Sequence, residues 1–359
     1  MSLKFWTHMP FHYPDIDRPY ADLLSEMIDI AQASEELGYE GISIPEVQFS
    51  NFITNPSSLQ IAAIVAAKTT KLKILTGVLV LPHYHPLALA GEVALADQIA
   101  AGRLSVGVAR GGNQHMPERL GVDPSKLREM YEESYDILLR AWTESDIVHQ
   151  GRFWNFPETT VLPRPFQKPH PKLWVAAQSE NGLRAAGRKG QNIMTSPNLG
   201  SFAPHGDLER ALEIYDAAVE EAQANRGEVL VFRHTFIAET DEQALRHLDE
   251  AHRHWGYYMS QYTNPQDSVA SRFAERDEHR NHIVGGRMTP ANIPIERDDI
   301  FNRYDDPILV GPEKAIERFK HYERIGVDHI AGATAMGASV DEVIKSMEVV
   351  ATRVMPEFR

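Results

Sequence analysis

Short apolar runs alternate along this chain with stretches whose apolar positions recur every three or four residues. Residues 3–8, 41–45, 72–81, 103–109, 173–177, 192–196, 229–238 and 328–333 read as strands. Residues 72–81 are apolar almost throughout, as expected of a strand buried on both faces. Helical periodicity fills the gaps. In 22–37 the apolar positions are Leu23, Leu24, Met27, Ile28, Ala31 and Leu37, and Gly38 ends the pattern. Asn55-Pro56-Ser57 opens a helix over 59–67. Further helices are expected over 87–100, 127–142, 180–189, 208–224, 241–252, 312–325 and 340–355. Strands that alternate with helices predict a parallel sheet, and eight such units predict a closed (β/α)₈ barrel. A doubly wound open sheet is the structural alternative.

Two segments interrupt the rhythm within what reads as one domain, 1–359. Residues 146–172 are rich in proline and aromatics. Residues 256–306 lack apolar periodicity and contain Gly285-Gly286, the pattern of an inserted mobile lid.

Composition narrows the chemistry. The chain has 359 residues, no cysteine, and 36 Lys and Arg against 50 Asp and Glu, for a net charge of −14. Disulfides, thiolate catalysis and iron–sulfur clusters are excluded. An acidic chain is a poor general partner for nucleic acid or anionic membrane. The longest apolar stretches, 61–67 and 74–82, fall far short of the ~20 residues that span a bilayer, and a cytoplasmic protein is expected. Gly-x-Gly-x-x-Gly, Walker, Gly-x-Ser-x-Gly and His-Glu-x-x-His patterns do not occur, so no metal is expected.

In a (β/α)₈ barrel the residues after each strand form the active site. Strand one ends at His8, strand two at Glu46-Val47-Gln48 and strand three at His83-Tyr84-His85. Arg110-Gly111-Gly112 follows strand four, Gln178-Ser179-Glu180-Asn181-Gly182 strand five, and Ser196 strand six. Arg110 either presents its guanidinium to a phosphate or bonds loop carbonyls. Ser179 either helps a helix start to hold an anion or is a plain cap. Gly77, inside strand three, marks either the close approach of a ligand or tight packing. His8 has the best address for general acid–base work. Small residues at Ala62, Ala63, Ala66 and Ala67 suit close helix packing or a subunit interface.

The stretch Ile74-Leu75-Thr76-Gly77-Val78-Leu79, His85-Pro86, Ala90-Gly91-Glu92, Gly102-Arg103-Leu104 and Arg110-Gly111 resembles the bacterial luciferase-like flavin monooxygenase family. So do Gly151-Arg152-Phe153, Gln167-Lys168-Pro169, Trp174-Val175-Ala176-Ala177-Gln178-Ser179 and Val310-Gly311-Pro312-Glu313. The resemblance implies a barrel that binds FMN, reduced and supplied in trans by a separate flavin reductase. It implies a flavin hydroperoxide that oxygenates a small organic substrate. Related members use the deazaflavin coenzyme F420 for hydride transfer, and a non-catalytic flavin-binding protein is the third reading.

Carried over, Arg110 and Ser179 would hold the FMN phosphate, with Gln178, Asn181, Gly182 and Ser196 nearby. Thr76, Gly77 and Val78 would back the flavin ring, with a cis Gly77–Val78 bond. Glu46 would serve both cofactor and catalysis. Val47 and Gln48 stand where many members carry two histidines, which leaves His8 and His83 as acid–base candidates. A homodimer through the helices at 57–68 and 87–101 is implied.

Overall fold

The computed structural model describes residues 2–13, 15–50, 53–111, 115–196, 208–246, 283–284, 287–288, 308–333 and 338–358. Each expected strand is present. β1 (Lys4–His8), β2 (Gly41–Ile44), β3 (Lys73–Val80) and β4 (Leu104–Ala109) lie side by side in parallel. A hairpin, β5 (Ile147–Gln150) with β6 (Asn155–Thr159), then interrupts the sheet. β7 (Lys172–Ala176), β8 (Asn192–Thr195) and β9 (Val229–Ile237) continue it. A two-stranded ladder, β10 (Ile283–Val284) with β11 (Arg287–Met288), follows in the chain. Short β12 (Ile308–Val310) pairs with the end of β9, and β13 (His329–Ala333) pairs with both β9 and β1. The ring β1-β2-β3-β4-β7-β8-β9-β13 therefore closes, which makes the fold a (β/α)₈ barrel. The open-sheet alternative is set aside by that closure.

Helices pack outside. They are α1 (Tyr20–Glu36), α2 (Ser58–Lys68), α3 (Pro86–Ile99), α4 (His115–Arg119) and α5 (Leu127–Thr143), then α6 (Glu180–Arg188), α7 (Leu208–Glu221), α8 (Asp241–Leu245), α9 (Pro312–Arg324) and α10 (Val340–Val349). Among the described residues no helix is long and apolar enough to cross a membrane. The expected helix over 241–252 is described only as far as α8, and most of the expected lid, 256–306, lies outside the described residues. The 146–172 interruption is organised by one carboxylate. Glu133 on α5 accepts the backbone N–H groups of Arg152, Phe153 and Trp154 and bonds His149 Nε2 at 3.0 Å.

The barrel interior is layered, with alternate strand residues pointing inward. Trp6, Leu75, Trp174, Met194, Leu230 and Ala331 fill its middle, with half-buried Val78 and Phe232 above them. Below lies a polar plug. Trp6 Nε1 donates to His329 Nδ1 at 2.9 Å, so His329 carries its proton on Nε2 and donates to Glu228 at 2.6 Å. Lys172 Nζ reaches the other Glu228 oxygen at 2.5 Å and lies over the Trp174 ring.

The His329 bond, aided by Lys172, holds the Glu228 carboxyl down at about 2, below the ordinary carboxylate range. A carboxyl depressed on folding stabilises at pH values above its unfolded pKa, and that contribution is lost as pH falls through the folded value. Glu228→Gln is therefore expected to cost about 1 kcal/mol at neutral pH, a modest figure because solvent screens an exposed carboxylate. Its side chain is 38% exposed. The variant is also expected to lose less stability than the parent between about pH 4.5 and pH 2. Urea midpoints across that range check both statements; parallel pH curves would reject the plug's role.

Candidate active site

β4 and β7 are neighbours, with Val108 level with Val175. Their exits carry Arg110 and Ser179 off the same rim. Arg110 is exposed, and the chain turns away after it at Gly111, whose φ of 86° favours glycine. Ser179 is the N-cap of α6, and its Oγ accepts the Gly182 N–H at 3.2 Å. The cap and the anion site are compatible, because a hydroxyl that accepts one bond still has a proton to donate. The first N–H groups of a helix have no intrahelical acceptor, and the helix dipole favours an anion there. Arg184 holds the Glu180 carboxylate at 2.7 Å, one turn into the helix. Gln178 and Gly182 are half-buried, Asn181 is exposed and Ser196 is buried at the end of β8.

The β3 segment departs from simple alternation. Pairing with β4 shifts between Thr76 and Leu79, so that two residues of β3 face one of β4. The Gly77–Val78 peptide bond is cis, as expected. Thr76 is fully buried, and its hydroxyl donates to the Gly107 carbonyl at 3.2 Å and accepts the Gly107 N–H at 2.9 Å. The side chain is thus spent on β4. Gly77 lies inside the barrel, beside the Ser43 hydroxyl, the Phe232 ring and Met194. Val78 packs over the interior layer.

Glu46 is 6% exposed and is held from three chain segments. It accepts the Ser58 N–H at 2.8 Å, the Ser58 hydroxyl at 2.9 Å, the Gln48 amide at 3.2 Å and the Tyr84 hydroxyl. Burial raises its pKa, and these four donors oppose that shift. The same burial, with Glu46 alongside, raises the Tyr84 phenol. Gln48 thus braces the carboxylate, while Val47 forms a bridge with Asn55.

His8 and His83 leave the rim on β1 and β3, with β2 between them. Burial, and then His234, draws the His8 ring down to about 3. Its Nδ1 is buried without a hydrogen-bond partner. His83 sits in the turn Leu81–His83 with both ring nitrogens buried and unpartnered, and burial lowers it to about 4. Both rings are neutral at ordinary pH. Among the aromatic residues, Trp6 belongs to the interior layer and Phe11 to the core outside the barrel. Phe49 is exposed, and Phe52, Trp255, Tyr257 and Tyr258 lie outside the described residues. Inspection of strand ends alone overlooks Ser43, Phe232 and His234, which line the upper barrel. Period-two alternation along 229–238 contains Phe232 and His234.

The model of luciferase-like monooxygenases matches residues 4–329. This chain belongs to that family. A flavin-dependent trigonelline monooxygenase, oxygenase component, from Acinetobacter baylyi is 29% identical over 94% of this chain and 90% of its own. Among solved structures, the oxygenating constituent of 3,6-diketocamphane monooxygenase from Pseudomonas putida, in complex with FMN, superposes with a TM-score of 0.77. Its identity is 20%, over 100% of this chain and 99% of that one. An F420-dependent secondary alcohol dehydrogenase gives a TM-score of 0.73 at 16% identity, over 100% of both chains. At these identities the structural likenesses establish the barrel.

Proposed function

We propose that this luciferase-like protein is the oxygenase component of a two-component, FMN-dependent monooxygenase. The observation that carries this reading is that Arg110 and the Ser179-capped start of α6 follow adjacent barrel strands, a placement that suits an anion. The trigonelline monooxygenase relative, matched along nearly its whole length, supports it.

The residues present fit a flavin. Buried polar atoms left without partners cost free energy unless a ligand or water meets them. His8 Nδ1 and both His83 nitrogens are such atoms, on residues at the end of β1 and just past the end of β3. A phosphate-tailed ring with polar edges answers both features. Arg110, Ser179 and the backbone of Asn181 and Gly182 would hold the phosphate. Gln178 and Ser196 stand beside that rim. Gly77 and Val78 would support the ring, with Glu46 fixing the rim around it. Reduced FMN, delivered by a separate reductase, would supply the electrons that activate O₂ for oxygenation of a small organic substrate. His8 and His83, neutral and desolvated, are suited to accept or return a proton at an imidazole nitrogen.

The test is anaerobic titration with reduced FMN and, separately, with reduced F420, followed by rapid mixing with O₂. Expected are FMN binding and a transient absorbance distinct from that of oxidised and reduced flavin. Binding of F420 alone would replace this reading with hydride transfer. FMN binding without a transient would favour a flavin carrier.

The reading includes a homodimer. Leu95 and Ile99 project from the outer face of α3, 52% and 46% exposed, and Leu162 and Phe166 are exposed beside them. The pair Leu95→Glu and Ile99→Lys is expected to yield monomers in sedimentation while preserving the circular dichroism spectrum. An unchanged dimer would place the interface elsewhere.

A further inference from the structure

Glu46 ties together three segments at one side of the barrel. It follows β2, Ser58 opens α2, and Tyr84 follows the turn Leu81–His83 at the end of β3. Glu46 Oε2 accepts the Ser58 N–H at 2.8 Å and the Ser58 hydroxyl at 2.9 Å. Glu46 Oε1 accepts the Gln48 amide at 3.2 Å and the Tyr84 hydroxyl. A carboxylate offers about four lone-pair sites, and these donors occupy them. Glu46 is therefore a hub rather than a proton carrier, and Tyr84 links it to the exit of β3.

The residue beside that link is costly to keep in place. His83 has both ring nitrogens buried without partners. Each such group costs about 1–3 kcal/mol relative to its hydrated state. A loose turn would release the imidazole to water, so the turn must be held on both sides. Leu81 and Pro82 are buried ahead of His83. Behind it, the Tyr84 N–H closes the turn on the Leu81 carbonyl at 3.1 Å, and the Tyr84 hydroxyl bonds Glu46. The His85 ring meets the Trp154 ring edge-on, with centroids 5.1 Å apart, and Trp154 Nε1 donates to Ser134 of α5 at 3.0 Å.

We propose that Tyr84 is a positioning residue that acts through Glu46 to hold the His83 imidazole in its desolvated seat at the end of β3. The proposal rests on the monooxygenase reading for the proton that His83 would exchange. Tyr84 carries no proton itself. Burial, with Glu46 alongside, raises its phenol, so the hydroxyl stays a donor at ordinary pH. Burial lowers His83 to about 4, so the ring stays neutral while the seat is kept.

The experiment follows histidine ring ¹⁵N signals from pH 5 to pH 8 in the full chain without flavin. The signal missing from His83→Gln identifies the ring. In the parent it is expected to stay neutral over most of this range. In Tyr84→Phe the ring still packs but the bond to Glu46 is gone. The His83 midpoint is then expected to rise to about 5.5 or higher, toward the ordinary value of about 6.5, as water reaches the nitrogens. His8, on the far side of β2, is expected to stay neutral in both proteins. Glu46→Ala, which removes the acceptor, is expected to move His83 in the same direction, and the double variant no further than the larger single effect. Tyr215→Phe controls for general loosening. It removes bonds to the Gln191 carbonyl and the Gly227 N–H, ahead of β8 and β9, and is expected to leave His83 unmoved.

An unmoved His83 midpoint in Tyr84→Phe would overturn the proposal, as would an equal rise in Tyr215→Phe. So would additive shifts in the double variant, because Tyr84 would then act independently of Glu46. Oxidised FMN is added to the parent last. A His83 midpoint that rises in Tyr84→Phe, beside a parent that binds no FMN, would reject the flavin reading and leave the role of Tyr84 intact.

Discussion

Arg110→Ala is expected to weaken FMN binding at least tenfold, a loss of about 1.4 kcal/mol or more. The magnitude follows from the removal of a charge-assisted hydrogen bond to a phosphate, worth about 1.5–3 kcal/mol. The side chain is exposed on the rim, so its removal leaves no cavity and the fold stays intact. Exposure also means that salt screens the contact, and the difference between parent and variant should narrow as ionic strength rises. Arg110→Lys keeps the charge and loses the planar fork, so an intermediate affinity is expected. Riboflavin, which lacks the phosphate, supplies the control and should bind parent and variant alike. Fluorescence titration with both ligands checks these statements. Equal FMN affinity in Arg110→Ala would remove the phosphate from this rim. Ser179→Ala is a less clean probe, because the hydroxyl also caps α6.

The same two residues show what the sequence reveals. Barrel strands buried on both faces read as unbroken apolar runs, and 72–81 is recognisable for that reason. Arg110 and Ser179 are visible because each directly follows such a run, where a barrel places its chemistry. The β5–β6 hairpin escapes this reading because it packs on the barrel's outside and mixes polar with aromatic residues. β12 escapes it because three residues carry no period. At Thr76 the position is legible and the orientation is not. The shift in pairing at residues 77–78 changes the phase of the side chains, so Thr76 bonds β4 while Val78 joins the interior. Glu46 is conspicuous at the end of strand two, yet its donors Gln48, Ser58 and Tyr84 come together only through tertiary packing. His234 lay within reach of alternation along β9. Attention to strand ends passes over it, because it points inward before the strand finishes.

The interior around Gly77 yields the second large effect. A Cβ at this position would stand 2.4 Å from the Ser43 hydroxyl, with the Phe232 ring at 3.6 Å and the Met194 methyl at 3.7 Å. Gly77→Ala is therefore expected to destabilise the protein by about 1–3 kcal/mol, the usual cost of overpacking a filled core. Ser43 is fully buried, and its hydroxyl has no hydrogen-bond partner. Ser43→Ala alone should then be close to neutral, because it removes a polar group that the interior leaves unsatisfied. In that background the new methyl at position 77 loses its nearest obstacle and retains only ordinary contacts with Phe232 and Met194. The double variant should recover much of the loss, with a coupling of about 1–2 kcal/mol between the sites. Urea unfolding of the four proteins measures it. Additive losses would mean that the cost of a side chain at 77 arises elsewhere. The consequence reaches the site, since Gly77 precedes Val78 and a methyl at 77 would meet Phe232. Crowding here displaces Val78, which would support the ring, so Gly77→Ala should weaken FMN binding, and Ser43→Ala should restore it in step with stability.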